Sequence, residues 1–306
     1  MDPSLPALRA RVLAEDATPV IRPVLGLTAY LDNPELWARE GAKAAWERFS
    51  SLPQAQAVEW FTTSVMPTWE PWEMRREARA AEALSSWSWV SDRPRHLLQV
   101  AFADSPEVPS VGFAYQEVDP ERTTRTAVLE LTFPVEMEPA ELEAVVRSVL
   151  LLGPVHALVA GYTVRWNAFH RRLAFNQAYL WCKRFLGLDV QDPEFSSWWV
   201  PAAAPGMGWL TALGPRLAGR IPPGALEKLT AARADRVGDA LLLQTSAAPS
   251  VGDRNALADL AGWQEVAALV SPLLPEAPDG YAGAFAAPDE LRAWMLRFVE
   301  PERWIG

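Results

Sequence analysis

The forty residues HLLQVAFADSPEVPSVGFAYQEVDPERTTRTAVLELTFPV (96–135) decide the fold class. They hold three strand-like runs, HLLQVAFA (96–103), VGFAYQEV (111–118) and TAVLELTFPV (126–135), rich in β-branched and aromatic residues. In the last run Val128, Leu129, Leu131 and Phe133 predict a mostly buried strand. The connectors are too short for the crossover of about a dozen residues that a parallel pair requires. These strands must therefore pair antiparallel, and helices elsewhere make the class α+β: a mixed, largely antiparallel sheet packed against helices in one compact unit spanning 1–306.

Working outward, the run after 135 is a helix. Pro139 stands at its start, Glu141 and Glu143 occupy the first turn, Leu142, Val145, Val146, Val149 and Leu150 keep the 3.6-residue period, and Gly153-Pro154 ends it. HALVAGYTVRW (156–166) returns as a strand and RRLAFNQAYLWCKRFLG (171–187) as a helix. On the other side, VIRPVLGLTAYL (20–31) reads as the first strand, followed by a helix to about Ser50 with Asn33 as cap, Pro34 in its first position and Glu35 at its positive end. AVEWFTTSV (57–65) predicts a strand and EPWEMRREARAAEALS (70–85) a helix. Residues 188–208 read as irregular, WLTALGPRLAG (209–219) and GALEKLTAARA (224–234) as short helices, DALLLQTS (239–246) as a strand, and APDELRAWMLRFV (287–299) as a last helix.

Half of the residues are hydrophobic, enough for a substantial core, and no apolar run approaches the roughly 18–20 residues that cross a bilayer. Asp2, Pro3 and Pro6 stand where a secretory signal would be basic and then apolar, and the single cysteine, Cys182, can make no internal disulfide, so a cytoplasmic protein is expected. The net charge of −10 argues against nucleic acid as a direct ligand and favours a basic partner. Charge is uneven: residues 101–145 hold ten carboxylates, among them Glu117, Asp119, Glu121, Glu136 and Glu138, against Arg122 and Arg125 alone. Residues 161–186 hold Arg165, Arg171, Arg172, Lys183 and Arg184 and no acid. These are two solvated faces of opposite sign, or the acidic one steers a cationic protein. Of the 15 tryptophans most belong in a core, while Trp198 and Trp199, in the irregular segment, are candidate interface anchors.

Chemistry is hard to assemble from these residues. The three histidines, His96, His156 and His170, show no metal-ligand spacing, and His156 sits in an apolar strand. His170 with Arg171, Arg172 and Asn176 could form a polar cluster at a helix start. There is no Gly-x-Ser-x-Gly elbow and no phosphate-binding glycine signature, and Cys182 follows Trp181 in an apolar helical run, where burial outweighs activation. No catalytic residue, cofactor or metal is expected. The stretch APSVGDRNAL (248–257) looks like a ligand loop, yet Asp253 as a helix cap, Gly252 as a turn residue and Pro249 as a restriction on the approach account for it without a ligand.

Three stretches of the C-terminal half, FLGLDV (185–190), GWLTALG (208–214) and LLLQTSAAPSVGDRNALADLAGWQEVAALVSPLL (241–274), resemble in order and spacing the type VI immunity family. LELTFP (129–134) and Gly161-Tyr162 fit the same pattern. The motif residues are Gly187, Asp189, Trp209, Leu210, Thr211, Gly214, Pro249, Gly252 and Asp253; Gly208 stands where the family usually has asparagine, and Trp263 where a tyrosine is expected. The resemblance covers nearly the whole chain, with the N-terminal third (about 1–95) less well matched. It implies an antidote rather than an enzyme: a cytoplasmic protein that binds and neutralises a cognate secreted toxin, often a nuclease, encoded beside it. Glu117, Asp119, Glu121, Glu136, Glu138, Trp198 and Trp199 are then the candidate toxin contacts. The alternatives are a small hydrolase and a structural or adaptor protein of a secretion apparatus.

Overall fold

The computed structural model describes residues 8, 11–12, 17–63, 66–72, 99–118 and 123–306. Its strands are β1 (Arg11–Val12), β2 (Pro19–Leu31), β3 (Trp60–Thr63), β4 (Met66–Pro71), β5 (Gln99–Ala103), β6 (Gly112–Gln116), β7 (Ala127–Phe133), β8 (Val155–Trp166), β9 (Leu210–Leu213), β10 (Arg233–Val237) and β11 (Ala240–Gln244). They form one sheet in the order β10-β11-β9-β8-β2-β7-β6-β5-β3-β4, with β1 attached to β2. Every described pairing is antiparallel, as the short connectors at 104–110 and 119–125 require.

β2 lies in the middle, between β7 and β8, and Leu27 faces Leu131 on one side and Ala160 on the other. It is almost wholly buried, so both faces of the sheet are covered there. The face carrying Leu25, Leu27, Leu129, Leu131 and Phe133 meets helices α1 (Ala42–Ser50) and α2 (Pro139–Leu152). Phe49 of α1 lies 5.8 Å from both Phe113 and Phe133, and Trp46 stacks on Phe102 at 3.9 Å. Alternate residues of the same strands, Tyr30 and Val128, face the other way and are covered by Val200 and Trp199.

The remaining helices are α3 (Arg171–Arg184), α4 (Pro193–Trp199), α5 (Ala261–Val270), α6 (Pro288–Met295) and α7 (Pro301–Ile305). α3 packs on β2 and β8 through Ala174, Phe175, Ala178, Trp181 and Cys182. Around it Tyr179, Phe285, Trp294 and Trp304 form an aromatic cluster with centroid distances of 5.2 to 6.2 Å. The chain between α3 and α4 carries a buried polar network. The Tyr30 hydroxyl donates to Gln191 Oε1 at 2.9 Å and shares a 2.6 Å hydrogen bond with Ser196, and Gln191 donates to Asp189 at 2.7 Å. Arg171 pairs with Asp192, and Arg297, fully buried between the rings of Trp294 and Phe298, donates to Leu186 O at 2.6 Å.

Several expectations need correction. WLTALG is not helical: Leu210–Leu213 is β9, and only Pro215–Ala218 makes a turn of helix. GALEKLTAARA gives one 3-10 turn, Leu226–Lys228, and then β10 begins. Glu70 and Pro71 belong to β4; the helix expected over 70–85 otherwise lies outside the described residues, Trp72 apart. The irregular segment holds α4, started by Pro193. The predicted helix from Asn33 is present with a π-helical stretch, Trp37–Gly41, and Asn33 caps it from a left-handed conformation, accepting from Leu36 N at 3.2 Å. At the outer edge of the sheet β10 carries Arg233, Asp235 and Arg236. Among the described residues no helix is long and apolar enough to cross a membrane.

Candidate functional site

The loop 248–257 meets the end of α3 by close backbone contact. Gly187 N donates to Val251 O at 2.9 Å and Leu186 N to Gly252 O at 3.1 Å. A Cβ on Gly187 would overlap Ser250 O, and one on Gly252, whose φ is +62°, would stand 2.8 Å from Gly187 N. Both glycines are thus dictated by one crossing of two segments of the chain. Asp253 is buried there and caps a single 3-10 turn, Arg254–Ala256, accepting from Asn255 N at 3.0 Å. It does not cap the following helix, which starts only at Ala261. Its carboxylate also takes both arms of Arg184, at 3.0 and 2.7 Å, so the carboxylate fastens the loop to α3. Nearby, Asp189 N donates to Tyr162 O at 2.9 Å, continuing the edge of β8.

The other motif residues are architectural. Trp209 is buried and donates to Ser246 O at 2.7 Å, Leu210 and Thr211 lie in β9, and Thr211 Oγ1 accepts from Gly208 N at 3.1 Å. A Cβ on Gly208 would stand 2.6 Å from Ala160 O, which is why this position takes glycine here. Gly214 passes close over Val155 O. Trp263 stacks on Phe298 at 4.9 Å.

Beside this junction lies a cleft of about 490 Å³ between the start of α2 and the loop, lined by residues 135–139, Tyr162, 248–250, Asp253, Ala256, Ala258 and Asp259. Glu136 and Glu138 stand exposed on its rim. Glu117 lies elsewhere: it follows β6, whose Gln116 pairs with Val128 near the start of β7, whereas Glu136 and Glu138 follow the end of β7. The predicted carboxylates therefore do not form one patch, and Asp119 and Glu121 lie outside the described residues.

The two adjacent tryptophans separate. Trp199 is half-buried against the cluster of Tyr30, Val128 and Val200, while Trp198 is 53% exposed. The Arg125 guanidinium lies 5.0 Å from the Trp198 ring and is held by bonds from Nε to Ser197 Oγ (3.0 Å) and from Nη2 to Glu194 O (3.1 Å). Arg125 and Glu194 line a groove of about 700 Å³ on the sheet, which also holds Thr62, Ala101, Ala114 and Gln116, with Glu130 bound to Arg165 at 2.5 Å. Arg125, Glu130 and Glu194 were not foreseen as site residues, because only the register of β6 on β7 and the start of α4 bring them into one groove.

His156 is a core residue whose Nε2 lies 3.2 Å from Ala203 O, and burial lowers its pKa. Cys182 is buried, and burial pushes its thiol up to about 12. The cluster suggested around His170 is not assembled: Arg171 turns to Asp192, and Asn176 is exposed beside Gly283. Among the described residues no three His, Cys, Asp or Glu side chains are grouped as a metal would need.

Comparison with known proteins gives a fold likeness and a family. The solved structure of a Pseudomonas aeruginosa T6SS protein, PA0821, superposes with a TM-score of 0.78 at 15% identity, covering 97% of this chain and 89% of that one. No curated protein matches. The family model described as type VI immunity for VRR-NUC (TsiV) matches residues 71–298, a span that holds every motif residue discussed above. The chain belongs to the TsiV family of type VI immunity proteins.

Proposed function

We propose that the chain binds a cognate VRR-NUC toxin, in our reading a secreted nuclease encoded beside it, and neutralises it in the cytoplasm by covering its surface. The observation that carries this reading is the family match over 71–298. The contact surface we favour is the groove lined by Arg125, together with the Trp198 ring that Arg125 holds. An exposed indole held by an arginine whose own donors are engaged has little rotamer freedom left to lose, and buried Trp and Arg are frequent anchors of interfaces. Glu194 lines the groove, Glu117 directly follows Gln116, which lines it too, and Asp119 and Glu121 come shortly after in sequence. Carboxylates there would steer the basic nucleic-acid groove of a nuclease toward the indole. Glu136 and Glu138, at the opposite end of β7, stand outside this surface.

Co-expression with the adjacent toxin tests the function: growth restored by this chain supports it, and growth arrest that persists while both proteins accumulate overturns it. The surface is tested separately by titrating purified toxin. Trp198→Ala should weaken binding by about 2 kcal/mol, and Glu117→Lys should lower the association rate and its salt dependence.

A further inference from the structure

Helix α2 ends without a cap. Gly153 closes no hydrogen bond back onto it, Pro154 has no N–H to offer, and the carbonyls of Leu150, Leu151 and Leu152 accept none from the described residues. A lysine or arginine near such an end bonds the last carbonyls and suits the macrodipole. The last turn of α2 carries no basic residue; it carries Leu151, 68% exposed.

This open end abuts a pocket of about 220 Å³, walled by Leu150, Leu151, Val155 and Pro215 and by the β10–β11 turn, Gly238 and Asp239. The turn packs close: a Cβ on Gly238, whose φ is +56°, would stand 3.3 Å from Leu150 O. The volume falls below the roughly 300–1,000 Å³ of small-molecule sites and suits a single side chain. Asp239 is exposed and enters no ion pair among the described residues, whereas the other acid of the hairpin, Asp235, is taken by Arg147 and Arg233. The chain's own cations do not fill the place. Arg236 donates to the main-chain oxygen of Asp239 at 3.4 Å, and Arg216, exposed beyond Pro215, bonds neither the carbonyls nor Asp239. Apolar walls with a carboxylate and unpaired carbonyls fit an aliphatic stem that ends in a positive charge.

The pocket opens at the end of the sheet that also carries Arg125. Leu31, the last residue of β2, pairs with Val155 of the pocket on one side and on the other with Ala127, two residues after Arg125. From β11 to β7 is four strand spacings, about 19 Å, within one interface of about 800 Å² per partner.

We propose that this pocket seats one lysine or arginine side chain of the cognate toxin, its stem against Leu151 and Pro215 and its head on the α2 carbonyls and Asp239. The proposal rests on the toxin-binding reading and gives that surface a second anchor. A nuclease must present cations to nucleic acid, so its binding groove supplies the side chain.

The test is titration of the purified adjacent toxin with rates resolved. Leu151→Lys places a cation of the chain's own at the helix end, so it should leave the thermal midpoint unchanged or raised while weakening toxin binding about tenfold. Asp239→Asn should weaken binding to a similar degree, through faster dissociation. Among Lys→Ala and Arg→Ala variants of the toxin, one should weaken binding to wild type but not weaken binding to Leu151→Lys any further. A toxin that does not bind wild type at all overturns the toxin-binding reading and this proposal together. Wild-type binding with both variants unaffected overturns this proposal alone, as does an Asp239→Asn that only slows association, or a toxin scan with no coupled residue. Should Leu151→Lys lower the midpoint, Asp239→Asn and its coupling to the toxin scan decide.

Discussion

Asp189 and Asp192 sit in the buried network beneath α4, and burial lifts each carboxyl to about 6, against the fields of Arg297 and Arg171 respectively. A raised carboxyl keeps its proton in the folded chain where the unfolded chain has released it. The stability it contributes is full below the ordinary carboxylate value and is lost as pH rises through about 6. Each pH unit of displacement is worth about 1.4 kcal/mol. Lowering the pH from 7 to 5 should therefore raise the thermal midpoint, and Asp189→Asn should flatten that slope; a wild-type midpoint that falls over this range contradicts the burial argument. Glu265 has the opposite sign. Its carboxylate accepts from the Thr230 hydroxyl and from Thr230, Ala231 and Ala232 N–H groups, which hold it at about 2, so its contribution disappears only as pH falls toward that value. Cys182 should resist alkylation in the native state and react fully only in denaturant, because its buried thiol yields no thiolate near neutral pH. Asp253→Ala should lower stability by more than the roughly 1 kcal/mol of a lost cap, because the Arg184 fork goes with it. Asp253→Asn, which keeps the cap, should cost less.

At the scale of elements, the crossing of Gly187 over residues 250–252 holds α3, the loop and the edge of β8 together. Gly187→Ala forces two backbones apart, an overpacking for which no flexible side chain can yield, and should cost about 3 kcal/mol in denaturant titration. A loss under about 1 kcal/mol would show the crossing to be loose. The same elements show what the sequence made legible. Connector length revealed antiparallel pairing at 96–135, and capping chemistry with a sustained 3.6-residue period revealed α2. WLTALG does not read as a strand because all of Leu210–Leu213 is buried, with β8 and β11 at its two edges, and a short apolar run without alternation has no period to separate strand from helix. Asp253 was legible as a cap but not as the partner of Arg184, since that pair spans 69 residues and depends on tertiary packing. For the same reason the acidic run 101–145 looked like one surface in sequence, while β7 carries its two ends apart.

Over the whole molecule, the sheet runs without a break from β10 to β4, and a long antiparallel sheet ends in strands with unpaired backbone groups. At one end β10 is short and charged, with Asp235 bound to Arg147 of α2 at 2.7 Å and Arg233 and Arg236 beside it. An antidote must accumulate in the cell ahead of its toxin and wait there unbound. On the proposed function, the charges on β10 would let this chain wait: another copy's edge strand would have to strip water from two arginines before its backbone could pair. Replacing Arg233 and Arg236 by valine should leave the thermal midpoint nearly unchanged yet produce turbidity and thioflavin-positive aggregates on storage at concentrations where the native chain stays clear. If the variant remains clear, some other feature keeps this edge from propagating. The charged edge would then set the shelf life of the immune state, a property separate from how tightly the toxin is held.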